Sequence, residues 1–448
     1  CLEISSTEAR RLLFFGIADE VLHPDVLAMI ERERLYGVGG AYHALPFADL
    51  RRVSLSLHKE KRRAHAQGVS DTAVLLAKKY GAENVYDFSL GNPATPAPEA
   101  VKEAIKRILD EKDPMFVHGY MDNSGYEDVR QAVADNLNHR FDTHFDFHNI
   151  IMTVGAAGGL NIIFKTILDP GDEVLVFAPY FGEYNSYAAN FDAKTVAVRP
   201  DPETFQPDLG DFAAKFTEKT KAVIINTPNN PTGVVYSDAT LKAIADILKE
   251  KQKAYKKEIY LVSDEPYREL VYDGQKENFL TKYYENTIVG YSFSKSLSLP
   301  GERIGYVVVP NEVADADTVI AGINVSNRTL GFVNAPSLIQ LAVAECLEEK
   351  TDVAYYDKNR TRLYEALTGY GYTCIKPEGA FYMWVKSPDE DEDRFVEQAK
   401  KYHLILVKGG AFCWPGYVRI AYCVSYDTIE RSLPAFEKLA EEYQLSGK

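Results

Sequence analysis

Thr287-Ile-Val-Gly-Tyr-Ser-Phe-Ser-Lys-Ser-Leu-Ser-Leu-Pro-Gly-Glu-Arg-Ile-Gly-Tyr-Val-Val-Val309 sets two apolar runs, Thr287–Ser292 and Gly305–Val309, on either side of a polar loop. Apolar runs rich in β-branched residues and lacking polar alternation read as strands covered on both faces. Two cations, Lys295 and Arg303, stand in the loop with three serines, and Ser292 leads into it. A surface loop carries such residues without consequence, but an apolar strand on each side argues that this one is held against the core. A buried lysine near another cation has a depressed pKa and can act as an amine nucleophile toward carbonyls.

Outward from this stretch, apolar strands alternate with amphipathic helices from Asp87 on, which predicts an α/β architecture. Further strands are expected at Ile150–Val154, Glu173–Phe177, Ala222–Asn226 and Ile259–Asp264, with helices at Pro98–Asp110, Glu127–Asn138 and Asp238–Lys253. A long helical stretch is expected from Pro336 toward Tyr370. A last α/β block follows, with strands at Phe381–Val385, Leu404–Val407 and Val418–Tyr422. There is no internal repeat and no low-complexity linker.

The 448 residues are 46% hydrophobic and 26% charged, with a net charge of −15, which excludes disordered, collagenous and disulfide-scaffold classes. An acidic surface repels phosphate backbones and anionic lipid, so neither nucleic acid nor membrane is an expected partner. Five cysteines without a C-x-x-C pair point to a reducing, cytoplasmic compartment. The first 65 residues carry a net +1 and include the basic cluster Lys59, Lys61, Arg62 and Arg63. A solvated helix, a leader and a nucleic-acid patch remain open for that segment. The chain begins with Cys rather than Met, as a fragment or a processed form does.

Several middle strands end in polar residues that a buried strand does not need: Asn226, Asp264 and Ser292. In open α/β sheets the ligand sits beyond the carboxyl ends of the strands, so these groups can converge on one pocket. Val154-Gly-Ala-Ala-Gly-Gly159 is a small-residue turn into a helix; its bare amides suit phosphate, and its glycines equally suit tight helix–strand packing. The turn is not G-x-G-x-x-G and no P-loop lysine follows, so neither a dinucleotide nor a nucleoside triphosphate is indicated. A strand-end carboxylate such as Asp264 is expensive to bury without a partner. It fits a helix cap or salt bridge, or a protonated heterocyclic nitrogen; Tyr267, three residues on, can donate to a phenolic oxygen of the same ring.

Taken together, the chain resembles the class I, fold-type I pyridoxal-phosphate aminotransferases of the aspartate aminotransferase superfamily, from about Asp87 to about Leu439. The most specific element is Ser292-x-Ser-Lys295-x7-Arg303-x-Gly305. It is joined in family order by Gly91–Pro98, Tyr120 with Gly125, the glycine turn at 155–159, Pro179–Phe181, Asn230–Gly233, Asp264-x-x-Tyr267, Pro377–Tyr382 and Arg419–Ala421.

The resemblance implies a large domain with a mostly parallel seven-stranded sheet between helices, and a smaller α/β domain. The implied boundaries are an extension at 1–60, the small domain at 61–105 and 346–448, and the large cofactor domain at 106–345. Lys295 would be the Schiff-base lysine and proton shuttle, and Asp264 the partner of the pyridinium nitrogen. Asn230 and Tyr267 would bond the ring's phenolic oxygen, and Phe181 would stack on the ring. Ser292, Arg303 and the Ala156 and Ala157 amides would hold the phosphate, with Tyr120 reaching over from the second subunit of a homodimer. Arg419, with Asn230 and Asn92, would bind the substrate carboxylate. The implied reaction moves an amino group between an L-amino acid and a 2-oxo acid in ping-pong fashion, without a metal.

Some aspartate-specific relatives carry a lysine in the glycine turn where Ala157 stands, which leaves room here for neutral or aromatic substrates. Rival readings are a C–S β-lyase or a cyclopropane-carboxylate-forming synthase on the same fold, and a DNA-binding regulator with an aminotransferase-like body.

Overall fold

The computed structural model describes residue 81 and residues 84–445. The extension 1–60, the basic cluster Lys59–Arg63 and the first part of segment 61–105 lie outside the described residues. From Tyr86 on, the described chain belongs to one compact unit.

After the short strand β1 (Tyr86–Asp87), seven strands build the central sheet. They are β2 (Ile150–Thr153), β3 (Glu173–Phe177), β4 (Lys194–Val198), β5 (Thr220–Asn226), β6 (Tyr260–Asp264), β7 (Thr287–Ser292) and β8 (Gly305–Val308). Their order is β2-β8-β7-β6-β5-β3-β4. Neighbours from β4 through β7 run parallel, and β8 is antiparallel to both β7 and β2.

Alternation along the strands splits the core into two layers. Val174, Val176, Ile224 and Val262 pack with Ile162, Ile163 and Phe164 of the helix Gly155–Ile167. Leu175, Val223, Ile225 and Leu261 face the other way, onto Leu241, Ile244, Ala245 and Leu248. Those four lie three, four and seven residues apart on the helix Asp238–Tyr255, whose first turn is capped by Ser237 accepting from the Thr240 amide. Burying about 100 Å² of each leucine or isoleucine side chain contributes roughly 2–3 kcal/mol before entropy is counted.

The C-terminal part folds around a second sheet. Strand β9 (Tyr382–Lys386) precedes β10 (Leu404–Ile405), β11 (Val407–Lys408) and β12 (Tyr417–Ala421), and β12 lies antiparallel between β11 and β9. β1 pairs in parallel with β10, and Phe88 packs with Phe381, Ile420 and Phe436. The first described strand thus joins the last part of the chain.

The expected boundary at 105/106 falls inside the helix Glu99–Glu111, whose Val101, Ala104 and Ile108 pack with Val129, Val133 and Ile150.

Two expectations are corrected, and one strand, β4, was not anticipated. The long helix toward Tyr370 is two helices, Ser337–Ala344 and Val353–Gly369. Between them Thr351 donates its amide to the Ser296 carbonyl (2.7 Å), and Asp352 caps the second helix by accepting from the Tyr355 amide. Polar Glu348-Glu-Lys-Thr-Asp352 thereby ties the lysine loop to the C-terminal part. β4 escaped the sequence because, as an edge strand, it is exposed at Lys194 and Ala197 and lacks an apolar run. Leu404–Val407 is split, its halves pairing with β1 and β12 respectively.

Among the described residues no helix is long and apolar enough to cross a membrane.

Candidate active site

Parallel pairing brings the polar strand ends together. Asn226 at the end of β5 stands in register with Asp264 at the end of β6, and its side-chain amide donates to the Asp264 carbonyl at 3.0 Å. The Asn226 side-chain oxygen accepts from the amide of Asn230 (2.8 Å), which fixes the turn that carries Asn230. β7 ends next door in Ser292, whose hydroxyl caps the turn Phe293–Ser296 by accepting from the Ser294 amide. Lys295 sits inside that turn.

Asp264 is buried, and its environment is lopsided. Oδ2 accepts a hydrogen bond of 2.6 Å from the Tyr184 hydroxyl, whereas Oδ1 has no partner. Burial pushes its pKa up to about 7, with the Tyr184 bond opposing and the neighbouring Glu265 adding to the rise. A buried carboxylate with one empty acceptor is tuned for a cationic donor.

Lys295 is half-buried, and its amine donates to the carbonyl of Gly91. Burial lowers its pKa to about 8, and Arg419 and Arg303 push the same way against Cys423. Near neutral pH a fraction of the amine is therefore free of its proton.

The helix Gly155–Ile167 opens beside the lysine loop. Val154 gives it no side-chain cap, so the amides of its first turn, Ala156 and Ala157 among them, are open to an anion. Gly155 has φ +77°, and a Cβ on it would lie 2.9 Å from the Arg303 guanidinium. Arg303, itself left-handed at φ 52°, donates to the carbonyls of Pro300 (3.0 Å) and Val154 (3.4 Å). An exposed guanidinium and an uncapped helix N-terminus thus adjoin each other.

On the opposite side stands Arg419 of β12. It donates to the Asn230 side-chain oxygen at 2.9 Å and the Ser89 carbonyl at 2.5 Å, while its buried Nε has no partner. Tyr382 and Phe412 lie against its guanidinium, with ring centroids 4.5 and 4.7 Å away. The Tyr267 hydroxyl meets that of Tyr382 at 2.9 Å.

Most of the residues expected at the site are gathered here. Phe181 lies edge-on to Tyr184, with centroids 5.7 Å apart. Asn92 is exposed, and it is its neighbour Gly91 that touches Lys295. Tyr120 is 94% exposed, unattached to the rest of this site. Tyr184, Phe412 and the carbonyls of Ser89 and Gly91 were not anticipated.

The model of the family "Aminotransferase class I and II" matches residues 83–436. The chain belongs to this family. Like its relatives, this aminotransferase is a transaminase of the α/β fold named by its sequence, in a family that works with pyridoxal phosphate. An amino transferase from Eubacterium rectale is similar in structure, with a TM-score of 0.84 and 43% identity, over 90% of this chain and all of that one. The aspartate/prephenate aminotransferase of Thermus thermophilus is 31% identical over 394 residues, 84% of this chain and 98% of that one. The aspartate aminotransferase of Pyrococcus horikoshii is 30% identical over 374 residues, 80% and 91% of the two chains.

Proposed function

We propose that the aminotransferase holds pyridoxal phosphate at Lys295 and moves an amino group between an L-amino acid and a 2-oxo acid. The observation that carries this is the orphaned, buried Oδ1 of Asp264, an acceptor suited to a protonated ring nitrogen. The open first turn of the helix Gly155–Ile167, with Arg303 and Ser292 beside it, suits the phosphate. When bound, the cofactor supplies an electron sink for charge developing at the substrate α-carbon.

The chain's own residues supply the rest. Asp264, ionised by a cationic partner, keeps the ring nitrogen protonated. Asn230 and Tyr267 donate to the phenolic oxygen, and Phe181 covers one face of the ring. Arg419 takes the substrate carboxylate through in-plane N–H donors, its unpartnered Nε among them, on a guanidinium that Asn230 and Ser89 have already oriented. Lys295 Nζ, lowered in pKa by burial, takes the α-proton and returns it on the way back.

The relatives are named for aspartate and prephenate as well as, in Bacillus subtilis, for N-acetyl-LL-diaminopimelate. With Ala157 in the glycine turn, the reading for this chain is a neutral or aromatic donor; kcat/KM for aspartate, alanine and tyrosine tests it, and a strong aspartate preference refutes it. The reading further includes a homodimer in which exposed Tyr120 serves the neighbouring site. It includes a division into two domains, with the first break moved out of the helix Glu99–Glu111 and the second at about residue 345, and a cytoplasmic location, supported by the free state of Cys346, Cys374, Cys413 and Cys423.

Borohydride reduction of the holoenzyme tests the core of the proposal. A pyridoxyl-labelled peptide spanning Tyr291–Arg303 is expected, and its absence refutes the assignment. Release of pyruvate and ammonia, in place of a keto acid with pyridoxamine phosphate, would favour the lyase.

A further inference from the structure

Tyr382, the first residue of β9, stands where Tyr267, Arg419 and Gly91 meet. Its hydroxyl lies 2.9 Å from that of Tyr267, with the two rings edge to face at 85°. Its ring lies against the Arg419 guanidinium. The hydroxyl also packs on Gly91, where a Cβ would lie 2.1 Å from it, and the Gly91 carbonyl is the acceptor of Lys295. The charged and titratable groups facing Tyr382 are Arg419, Cys423 and Tyr267; those facing Lys295 are Cys423, Arg419 and Arg303.

Counting hydrogens sets the direction of the Tyr267–Tyr382 bond. A phenol has one proton to donate and lone pairs with which to accept. In the bare pair either hydroxyl can donate. Once the Tyr267 proton is committed to the cofactor's phenolic oxygen, only Tyr382 can donate between them.

We propose that Tyr382 is a positioning residue: held between Arg419 and Gly91, it donates its hydroxyl proton to Tyr267 and fixes that phenol in the orientation that serves the cofactor. This rests on the reading given under Proposed function. A phenol that accepts a hydrogen bond becomes a stronger donor. Tyr382 therefore strengthens the Tyr267 bond to the phenolic oxygen, and lowers the pH at which the Lys295 nitrogen of the holoenzyme loses its proton.

The test is an absorbance titration of the holoenzyme against pH for wild type, Tyr382→Phe, Tyr267→Phe and the double variant. Tyr382→Phe is expected to raise the midpoint by about half a pH unit, the scale of one modest hydrogen bond. The same change made in Tyr267→Phe is expected to move it no further, an outcome that a merely structural role does not give. Gly91→Ala, which drives the hydroxyl off its seat, is expected to raise the midpoint as well, and serves if Tyr382→Phe does not fold. An unmoved midpoint in Tyr382→Phe, or equal shifts in both backgrounds, overturns the role of Tyr382 alone. A wild type with no titrating absorbance band overturns the cofactor reading beneath it.

Discussion

Tyr184 and Asp264 share a buried hydrogen bond of 2.6 Å that uses one carboxylate oxygen and leaves the other, Oδ1, empty. The bond holds the carboxyl in one orientation while burial drives its pKa upward. Tyr184 pays part of the desolvation of the anion, and the rest waits for a cation. In the absence of a cation the site is electrostatically unfinished, which makes it selective for a ligand that brings one.

The cofactor-free protein should accordingly lose stability as Asp264 ionises. Its folded pKa, about 7, lies above the ordinary value of 3.8 that an exposed aspartate has when the chain is unfolded. The favourable contribution is present below the lower value and is lost as pH rises through about 7, to at most about 4 kcal/mol. Melting of the apoprotein at pH 5 and pH 8 should show this loss in wild type and not in Asp264→Asn. Parallel pH dependence in the two proteins would remove Asp264 as its source.

Tyr184→Phe should act in the same direction. Without the phenol the Asp264 pKa rises further, so the acid limb of kcat/KM moves to higher pH with the fold intact. An unshifted limb would mean that the Tyr184 bond does not set the ionisation of Asp264.

Much of this was legible in the sequence, for identifiable reasons. The buried strands β2, β3, β5, β6, β7 and β8 are short apolar runs, and the polar ends of β5, β6 and β7 mark the pocket because burial makes them conspicuous. Lys295, Arg303, Asp264, Asn230 and Tyr267 sit at fixed spacings within single local motifs. Tyr184 has no such spacing, for it meets Asp264 across 80 positions. Backbone acceptors such as the carbonyls of Ser89 and Gly91 carry no side-chain signal at all. Edge strand β4 and the break before Val353 were hidden because exposure and a long-range bond from Thr351, not local pattern, decide them.

Gly155 is where backbone conformation serves anion binding most directly. At φ +77° any side chain is strained, by about 1–3 kcal/mol. A Cβ would also crowd the Arg303 guanidinium. Gly155→Ala should therefore weaken pyridoxal phosphate binding about 10-fold or more, read as the dissociation constant in a fluorescence titration. The absorbance of the fully loaded variant should stay that of wild type, because Asp264 and Lys295 are untouched. Unchanged affinity would place the phosphate elsewhere.

Arg419 tests the substrate end. Its guanidinium is held edgewise by Asn230 and Ser89 and covered by Tyr382 and Phe412, so its geometry, beyond its charge, is fixed in advance. Lysine keeps the charge but cannot bond Asn230 and Ser89 while offering a planar pair of donors to a carboxylate. Arg419→Lys should lower kcat/KM roughly 100-fold, the worth of a lost charge-assisted fork. The fall should come mainly through KM, since the carboxylate is held alike before and during proton transfer by Lys295. A fall confined to kcat would instead place the guanidinium in the chemical step, and no fall at all would assign the substrate carboxylate to another cation.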